Sequence, residues 1–108
     1  MAGTDRFALR VSRNQGINLV RLAGELDMAS APKLRAAIRD VSGPLLLDCE
    51  RLTFLDASGL RVLDETARSN PTLTLRHVAP RVRRVLDVAG MDALVALEER
   101  DAPDTPPT

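Results

Sequence analysis

Two kinds of hydrophobic pattern alternate along this chain, and their alternation restricts the fold more than any other feature. Apolar side chains recur at every second residue from Phe7 to Val11, as in a half-buried strand. From Leu34 to Val41 they recur at i, i+3, i+4 and i+7, which is the spacing of one helix face. Strands that alternate with helices predict an α/β fold with a mixed, mostly parallel sheet.

The predicted order of elements is β-β-α-β-α-β-α-β, with Gly, Pro or Asn at most of the turns. Ser30 is the predicted N-cap of the first helix. Residues 50–56 are predicted to form a loop that packs onto the core, because they include Leu52, Phe54 and Leu55. Strands are predicted over residues 7–12, 17–23, 45–47, 72–76 and 94–97, and helices over residues 31–41, 58–69 and 80–89.

Length and charge narrow the class of protein. A chain of 108 residues has room for one domain, which we place at residues 6–98, between a loose N-terminus (1–5) and a disordered, Pro-rich tail (99–108). The 15 basic and 15 acidic residues balance, which argues against nucleic-acid binding and against broad attraction to membranes. With no apolar stretch near the roughly 18 residues of a membrane span, and no signal peptide, we expect a cytoplasmic protein without membrane insertion.

Side chains that catalyse reactions or bind metals are scarce. Cys49 is the only cysteine and His77 the only histidine, so no internal disulfide, zinc site or Ser–His–Asp centre is expected. The chain also lacks a Gly-rich phosphate-binding loop. We therefore expect no catalytic residue, no metal and no cofactor. Cys49 is interpreted as a small buried hydrophobe, and His77 as a surface residue at the end of a strand.

Three short motifs follow one another along the chain. They are Gly-Glu-Leu-Asp at 24–27 with Ala-Pro-Lys-Leu-Arg at 31–35; Leu-Asp-Cys at 47–49 leading through Phe-Leu at 54–55 to Asp-Ala-Ser-Gly-Leu at 56–60; and Pro-Arg-Val-Arg-Arg-Val-Leu-Asp at 80–87 with Ala-Gly-Met at 89–91. In this order and at this spacing they resemble the STAS domain family, in particular the bacterial anti-sigma-factor antagonists. The resemblance covers roughly residues 7 to 98.

This resemblance implies a STAS fold, an α/β architecture whose helices pack mainly on one side of the sheet. It also implies a protein partner, an anti-sigma factor that is usually a serine kinase as well. The unphosphorylated antagonist captures this partner and so frees a sigma factor for transcription. The residues that the resemblance assigns to partner binding are Asp27, Asp56, Ala57, Ser58, Gly59 and Leu60.

The same resemblance implies a phosphorylation switch at the start of the second helix. A helix N-terminus tolerates the roughly −1.5 to −2 charges of a phosphate, whereas acidic groups on a partner repel them. Family members carry Asp-Ser-Ser/Thr-Gly, and Ala57 stands at the position of the acceptor serine. Three alternatives follow. The protein binds its partner constitutively, Ser58 is the phosphoacceptor, or the domain is a scaffold or accessory module with no kinase at all. Ser58 also has a simpler interpretation, as an N-cap contributing about 1 kcal/mol.

Two other functions stay open alongside the leading one. The same fold serves as an accessory subunit of transport complexes, and a helix N-terminus can bind a nucleotide. Arg81, Arg83 and Arg84 form a basic run on the third predicted helix, which we interpret as its solvated face. The pattern leaves the oligomeric state open.

Overall fold

Four strands form one mixed sheet in the computed structural model, which describes residues 6–100 apart from the side chains of Glu98 and Arg100. β1 pairs with β2 in antiparallel orientation, and the pairs β2–β3 and β3–β4 are parallel. The spatial order is β1-β2-β3-β4. The mixed, mostly parallel sheet is therefore confirmed. The strands are β1 (Phe7–Asn14), β2 (Ile17–Leu26), β3 (Leu45–Leu55) and β4 (Thr74–Arg76).

The three predicted helices are present, and a short fourth helix follows them. They are α1 (Ala31–Ile38), α2 (Ala57–Ser69), α3 (Pro80–Val88) and α4 (Leu97–Arg100), with a 3₁₀ turn at Asp92–Leu94. Gly90 ends α3 as expected: its φ is 75°, and the N–H of Met91 donates to the carbonyl oxygen of Leu86 at 2.8 Å. α2 buries Gly59, Val62, Leu63 and Thr66, whereas Leu60 and Ala67 are only partly buried.

The helices cover one face of the sheet. Along β2, Val20 and Leu22 are almost fully buried, whereas the intervening Arg21 is exposed. Side chains from both layers join one apolar cluster, so the core lies between this face and the helices. Its fully buried members include Val20, Leu26, Leu34, Leu47, Leu63, Leu75, Val82 and Leu86. The predicted packing of helices on one side is thus found.

The third strand is longer than predicted. β3 runs through residues 50–55, so the loop predicted at 50–56 is wrong. After Cys49 its buried residues are spaced by three instead of two, because two register shifts against β2 insert extra residues into β3. These bulges remove the period-two signal of a strand from the sequence. Leu52 is buried as expected, but Phe54 is 45% exposed.

The strand predicted at residues 94–97 is also wrong. Only Val95 forms a parallel bridge, to Leu75, before the chain turns into α4. This helical turn brings the Glu99 carboxylate to the backbone N–H groups of His77 and Val78, at 2.8 and 3.2 Å. Residues 99 and 100, where the predicted tail begins, therefore lie in a helix. The rest of that tail and the predicted loose N-terminus at 1–5 lie outside the described residues.

The burial predicted for Cys49 is confirmed, since its relative exposure is 2%. Burial, and to a lesser degree the charges of Asp48 and Glu99, raises the pKa of the Cys49 thiol to about 12. The neutral thiol is a poor nucleophile.

We therefore expect Cys49 to resist an aromatic disulfide reagent at pH 8 and at pH 10 while the protein stays folded. Release of the coloured thiolate, followed by absorbance, should proceed at the rate of unfolding. The same sample in urea should react completely and serves as the control. Rapid reaction in native buffer, at the rate of a small free thiol, would contradict this assignment.

Candidate functional site

The first two motifs meet where β2 and β3 end. Because these strands are parallel, their carboxyl ends lie at the same edge of the sheet, and Asp27 and Asp56 follow directly. The backbone N–H of Asp56 donates to the carbonyl oxygen of Leu26 at 3.3 Å. The two loops are therefore neighbours, as the site predicted from the sequence requires.

Hydrogen bonds within the loop between β2 and α1 hold it in one conformation. Asp27 Oδ1 accepts from the backbone N–H groups of Ala29 and Ser30 at 3.0 Å each. These bonds, that of Ser30 foremost, lower the pKa of the Asp27 carboxyl. The buried Ser30 hydroxyl accepts from the N–H of Asp27 at 2.8 Å and donates to the carbonyl oxygen of Glu25 at 2.7 Å. Asp27 is thus ionised and fixed in place at neutral pH.

This geometry corrects the role predicted for Ser30. α1 does begin directly after it, with Pro32 in the first turn. The Ser30 side chain makes no capping hydrogen bond, because its hydroxyl is used by the preceding loop. Ser30 therefore occupies the predicted N-cap position, but its hydroxyl bonds to the end of β2 and not to an amide of the first turn of α1.

Asp56, and not Ser58, is the N-cap of α2. Its backbone is extended, with φ −113° and ψ −170°, and its Oδ1 accepts from the N–H of Gly59 at 3.0 Å. Ser58 occupies the second position of the helix, and among the described residues its hydroxyl makes no hydrogen bond. The capping role predicted for Ser58 is wrong. The carboxylate of Asp56, two residues earlier, accepts from the N–H of Gly59, the third residue of the helix.

Gly59 allows the first turn of α2 to lie directly on the sheet. A Cβ at this position would come within 2.7 Å of the carbonyl oxygen of Leu26 and 2.5 Å of Leu55 Cδ1. Only the absence of a side chain makes this approach compatible with packing. Gly59 therefore packs the helix closely against the sheet, which places residues 57 and 58 beside the β2–α1 loop.

A shallow cavity of about 250 Å³ joins the two motifs at the surface. Met28 beside it is 77% exposed, and Ala57 is also exposed. The Nε of Arg35 lies 3.0 Å from Oε1 of Glu65, whereas Arg61 makes no ion pair within residues 6–100. We call the group formed by Asp27, Met28, Ala57, Ser58 and Arg61 the loop–helix surface. The cavity is lined by Met28, Ala31, Pro32, Arg35, Ala57, Ser58 and Arg61.

The six residues assigned to partner binding differ in how they can contribute. Ala57 is exposed; Asp27, Asp56 and Ser58 are half-buried. Gly59 is buried, and Leu60 packs against the core, so both shape the surface from below.

One contributor was missed from the sequence. Arg61 lies one helical turn after Ala57 and Ser58, a spacing that could have identified it.

A second polar group lies on the sheet, away from the loop–helix surface. Ligand atoms of Asp48, Glu50 and His77 lie within 4.8 Å of one another, close enough to hold a metal ion. His77 Nδ1 is 3.0 Å from Asp48 Oδ1, and this hydrogen bond raises the pKa of His77. Asp48 also accepts from the N–H of Glu50 and faces Arg21. Its charge is thus already compensated by protein groups.

The cap assignment predicts different stabilities for two neighbouring substitutions. Asp56→Ala should lower the free energy of unfolding by about 1 kcal/mol, because the N–H of Gly59 loses its acceptor. Ser58→Ala, the matched control, should change it by less than about 0.5 kcal/mol. Urea unfolding followed by circular dichroism measures both values. The reverse order would restore Ser58 as the cap.

Taken together, the fold and the site define a small α/β domain whose sheet edge carries two preorganised loops. Within residues 6–100, no helix is both long and apolar enough to cross a membrane. A family model described as "Mlab, STAS domain" matches residues 9–96. This chain therefore belongs to the STAS domain family.

Its relatives are anti-sigma-factor antagonists. The chain is 25% identical to the anti-sigma-B factor antagonist of Bacillus subtilis over 97 residues, covering 83% of this chain and 89% of the relative. It superposes on an anti-sigma factor antagonist from Mycobacterium paratuberculosis with a TM-score of 0.78 at 27% identity, covering 92% and 94%. SpoIIAA, solved unphosphorylated and phosphorylated, gives TM-scores of 0.70 and 0.64 at 26% and 25% identity, covering 86% of this chain and 91% and 95% of SpoIIAA.

Proposed function

We propose that this protein is an anti-sigma-factor antagonist, which binds an anti-sigma factor and thereby frees a sigma factor. The observation that carries the proposal is the loop–helix surface, built from the motifs shared with such antagonists. Its role is regulatory binding without catalysis. Because sigma factors act on RNA polymerase inside the cell, we infer a cytoplasmic location.

The composition of the loop–helix surface suits a protein partner. Met28 offers a flexible apolar contact that is 77% exposed, and Asp27 and Arg61 offer charges of opposite sign. The hydrogen bonds of Asp27 and Ser30 fix the loop before binding. A loop ordered in advance loses less conformational entropy on docking, which favours affinity.

We further propose that the partner is an anti-sigma factor of the serine-kinase type and that binding is constitutive. Ala57 has no hydroxyl to phosphorylate, at the exposed position where the family's acceptor is expected. Ser58 is half-buried, so its hydroxyl is less accessible to a kinase than a side chain at position 57. The protein would then resemble a permanently unphosphorylated antagonist.

Docking through this surface predicts a local effect of a bulky side chain. Ser58→Trp should fill the shallow cavity and weaken the binding of the partner at least tenfold. This corresponds to about 1.4 kcal/mol of binding free energy. Arg84→Trp, at an exposed position on α3, is the matched control and should bind normally. A pull-down from the source bacterium identifies the partner, and calorimetry with the purified partner measures affinity. Equal binding by both variants, or recovery of only a membrane transport complex, would contradict the proposal.

Constitutive binding predicts that the cognate kinase leaves the chain unmodified. After incubation with the recovered partner and ATP, intact-mass spectrometry should show no added phosphate. Ala57→Ser, which restores the acceptor hydroxyl, should gain one phosphate and proves that the kinase is active. A phosphate on the unaltered chain that disappears in Ser58→Ala would make Ser58 the acceptor and overturn the constitutive proposal.

A further inference from the structure

The face of the sheet opposite the helices carries one charged residue from each strand, side by side. The register pairs Arg10 of β1 with Arg21 of β2, Arg21 with Asp48 of β3, and Asp48 with Arg76 of β4. These four residues, which we call the charged row, cross the whole sheet. At about 4.8 Å between neighbouring strands, the row is roughly 14 Å long.

Small side chains next to the charged row leave a depression. Ala8 pairs with Ala23, and Ala23 pairs with Arg51 because of the bulge in β3. The resulting cavity of about 520 Å³ is open to solvent. Arginine and carboxylate side chains surround it. Its lining comprises Ala8, Leu9, Arg10, Arg21, Leu22, Ala23, Asp48, Glu50 and Arg51.

Positive charge on this face exceeds the carboxylates available to it. Arg10 lies directly opposite Arg21, and like charges in this position destabilise a sheet. Within the described part of the chain, Arg10 and Arg51 make no ion pair, and Arg21 Nε is 3.8 Å from Asp48 Oδ2. Asp48 in turn bonds to His77, and the other acidic residue that lines the depression, Glu50, is exposed. The arginines around the depression therefore outnumber its carboxylates, which favours an acidic group as the ligand.

We propose that this face is a second docking surface, which binds an acidic segment of a partner protein. Carboxylates of the segment bind Arg10, Arg21 and Arg51, whose planar guanidinium groups can each take a carboxylate in two parallel hydrogen bonds. One acidic side chain enters the depression over Ala8 and Ala23. The partner's carboxylates thus offset the repulsion between Arg10 and Arg21, which lie opposite each other on β1 and β2.

The chemistry of the face disfavours two other occupants. A second copy of this chain would bring three arginines and only one aspartate to the charged row, so some arginines would face arginines in either alignment of the two rows. A single-stranded nucleic acid would need aromatic platforms, whereas Phe7 is buried and Phe54 lies outside the charged row.

This surface is separate from the loop–helix surface. The helices cover the opposite face of the sheet, and neither Met28 nor the first turn of α2 lines the depression. Two partners can therefore bind at the same time. The inference goes beyond the proposed function and does not depend on it.

The test uses the full ¹⁵N-labelled chain and a hexaglutamate peptide at low ionic strength. Saturable amide shifts are expected in β1, β2 and β3 around the depression, and hexalysine should cause none. The Arg10→Glu, Arg21→Glu double variant should weaken binding at least tenfold. The Arg81→Glu, Arg84→Glu variant makes the same charge change on exposed positions of α3 and should bind normally.

Several outcomes would overturn the proposal. They are the absence of saturable shifts, an equal loss of peptide affinity in both double variants, and binding of an oligouridine through the same arginines more tightly than the peptide. A chain ending at residue 100 that binds the peptide much more tightly than the full chain would show that residues 101–108 occupy the face instead. Thermal unfolding confirms that the variants fold; if the double variant does not, Arg10→Gln replaces it and should weaken binding in the same direction.

Discussion

The contact between Gly59 and the carbonyl oxygen of Leu26 is the one on which the candidate site depends. It lets α2 start directly on the end of β2, where the N–H of Asp56 also bonds to Leu26. Any side chain at position 59 would lift the helix and separate Ala57 from Met28. The same backbone approach therefore determines both the packing of the helix and the shape of the loop–helix surface.

Much of this fold could be predicted from the sequence, because simple periods survive wherever the pairing is regular. The alternation from Phe7 to Leu9 at the start of β1 and the stripe from Leu34 to Ile38 both correspond to faces packed on the core. The predicted length of β3 is too short, because its bulges change the spacing of its buried residues from two to three. Asp56 and Ser58 are both of residue types that cap helices, so the sequence offers two candidates for the N-cap of α2. Only the backbone conformation shows which of the two side chains reaches an amide.

The two surfaces differ in how far they could be anticipated. The loop–helix surface is encoded in contiguous motifs, so Asp27 and Ala57 could be named before the fold was known. The charged row depends on strand register, which brings together residues as distant in sequence as Arg10 and Arg76. A single sequence gives no direct measure of register once bulges intervene. For this reason, a surface on an open sheet cannot be recognised from sequence motifs alone.

Glu99 connects the last described helix to the turn after β4. Its carboxylate accepts two backbone N–H groups after β4, and Arg83 Nη1 donates to its carbonyl oxygen at 2.7 Å. His77, whose N–H it binds, has a φ of 58°, a left-handed conformation that costs a non-glycine residue about 1 kcal/mol. A chain cut after residue 96, where the family match stops, would lose this support. Polar contacts made by a residue beyond the family match thus support the turn that follows β4.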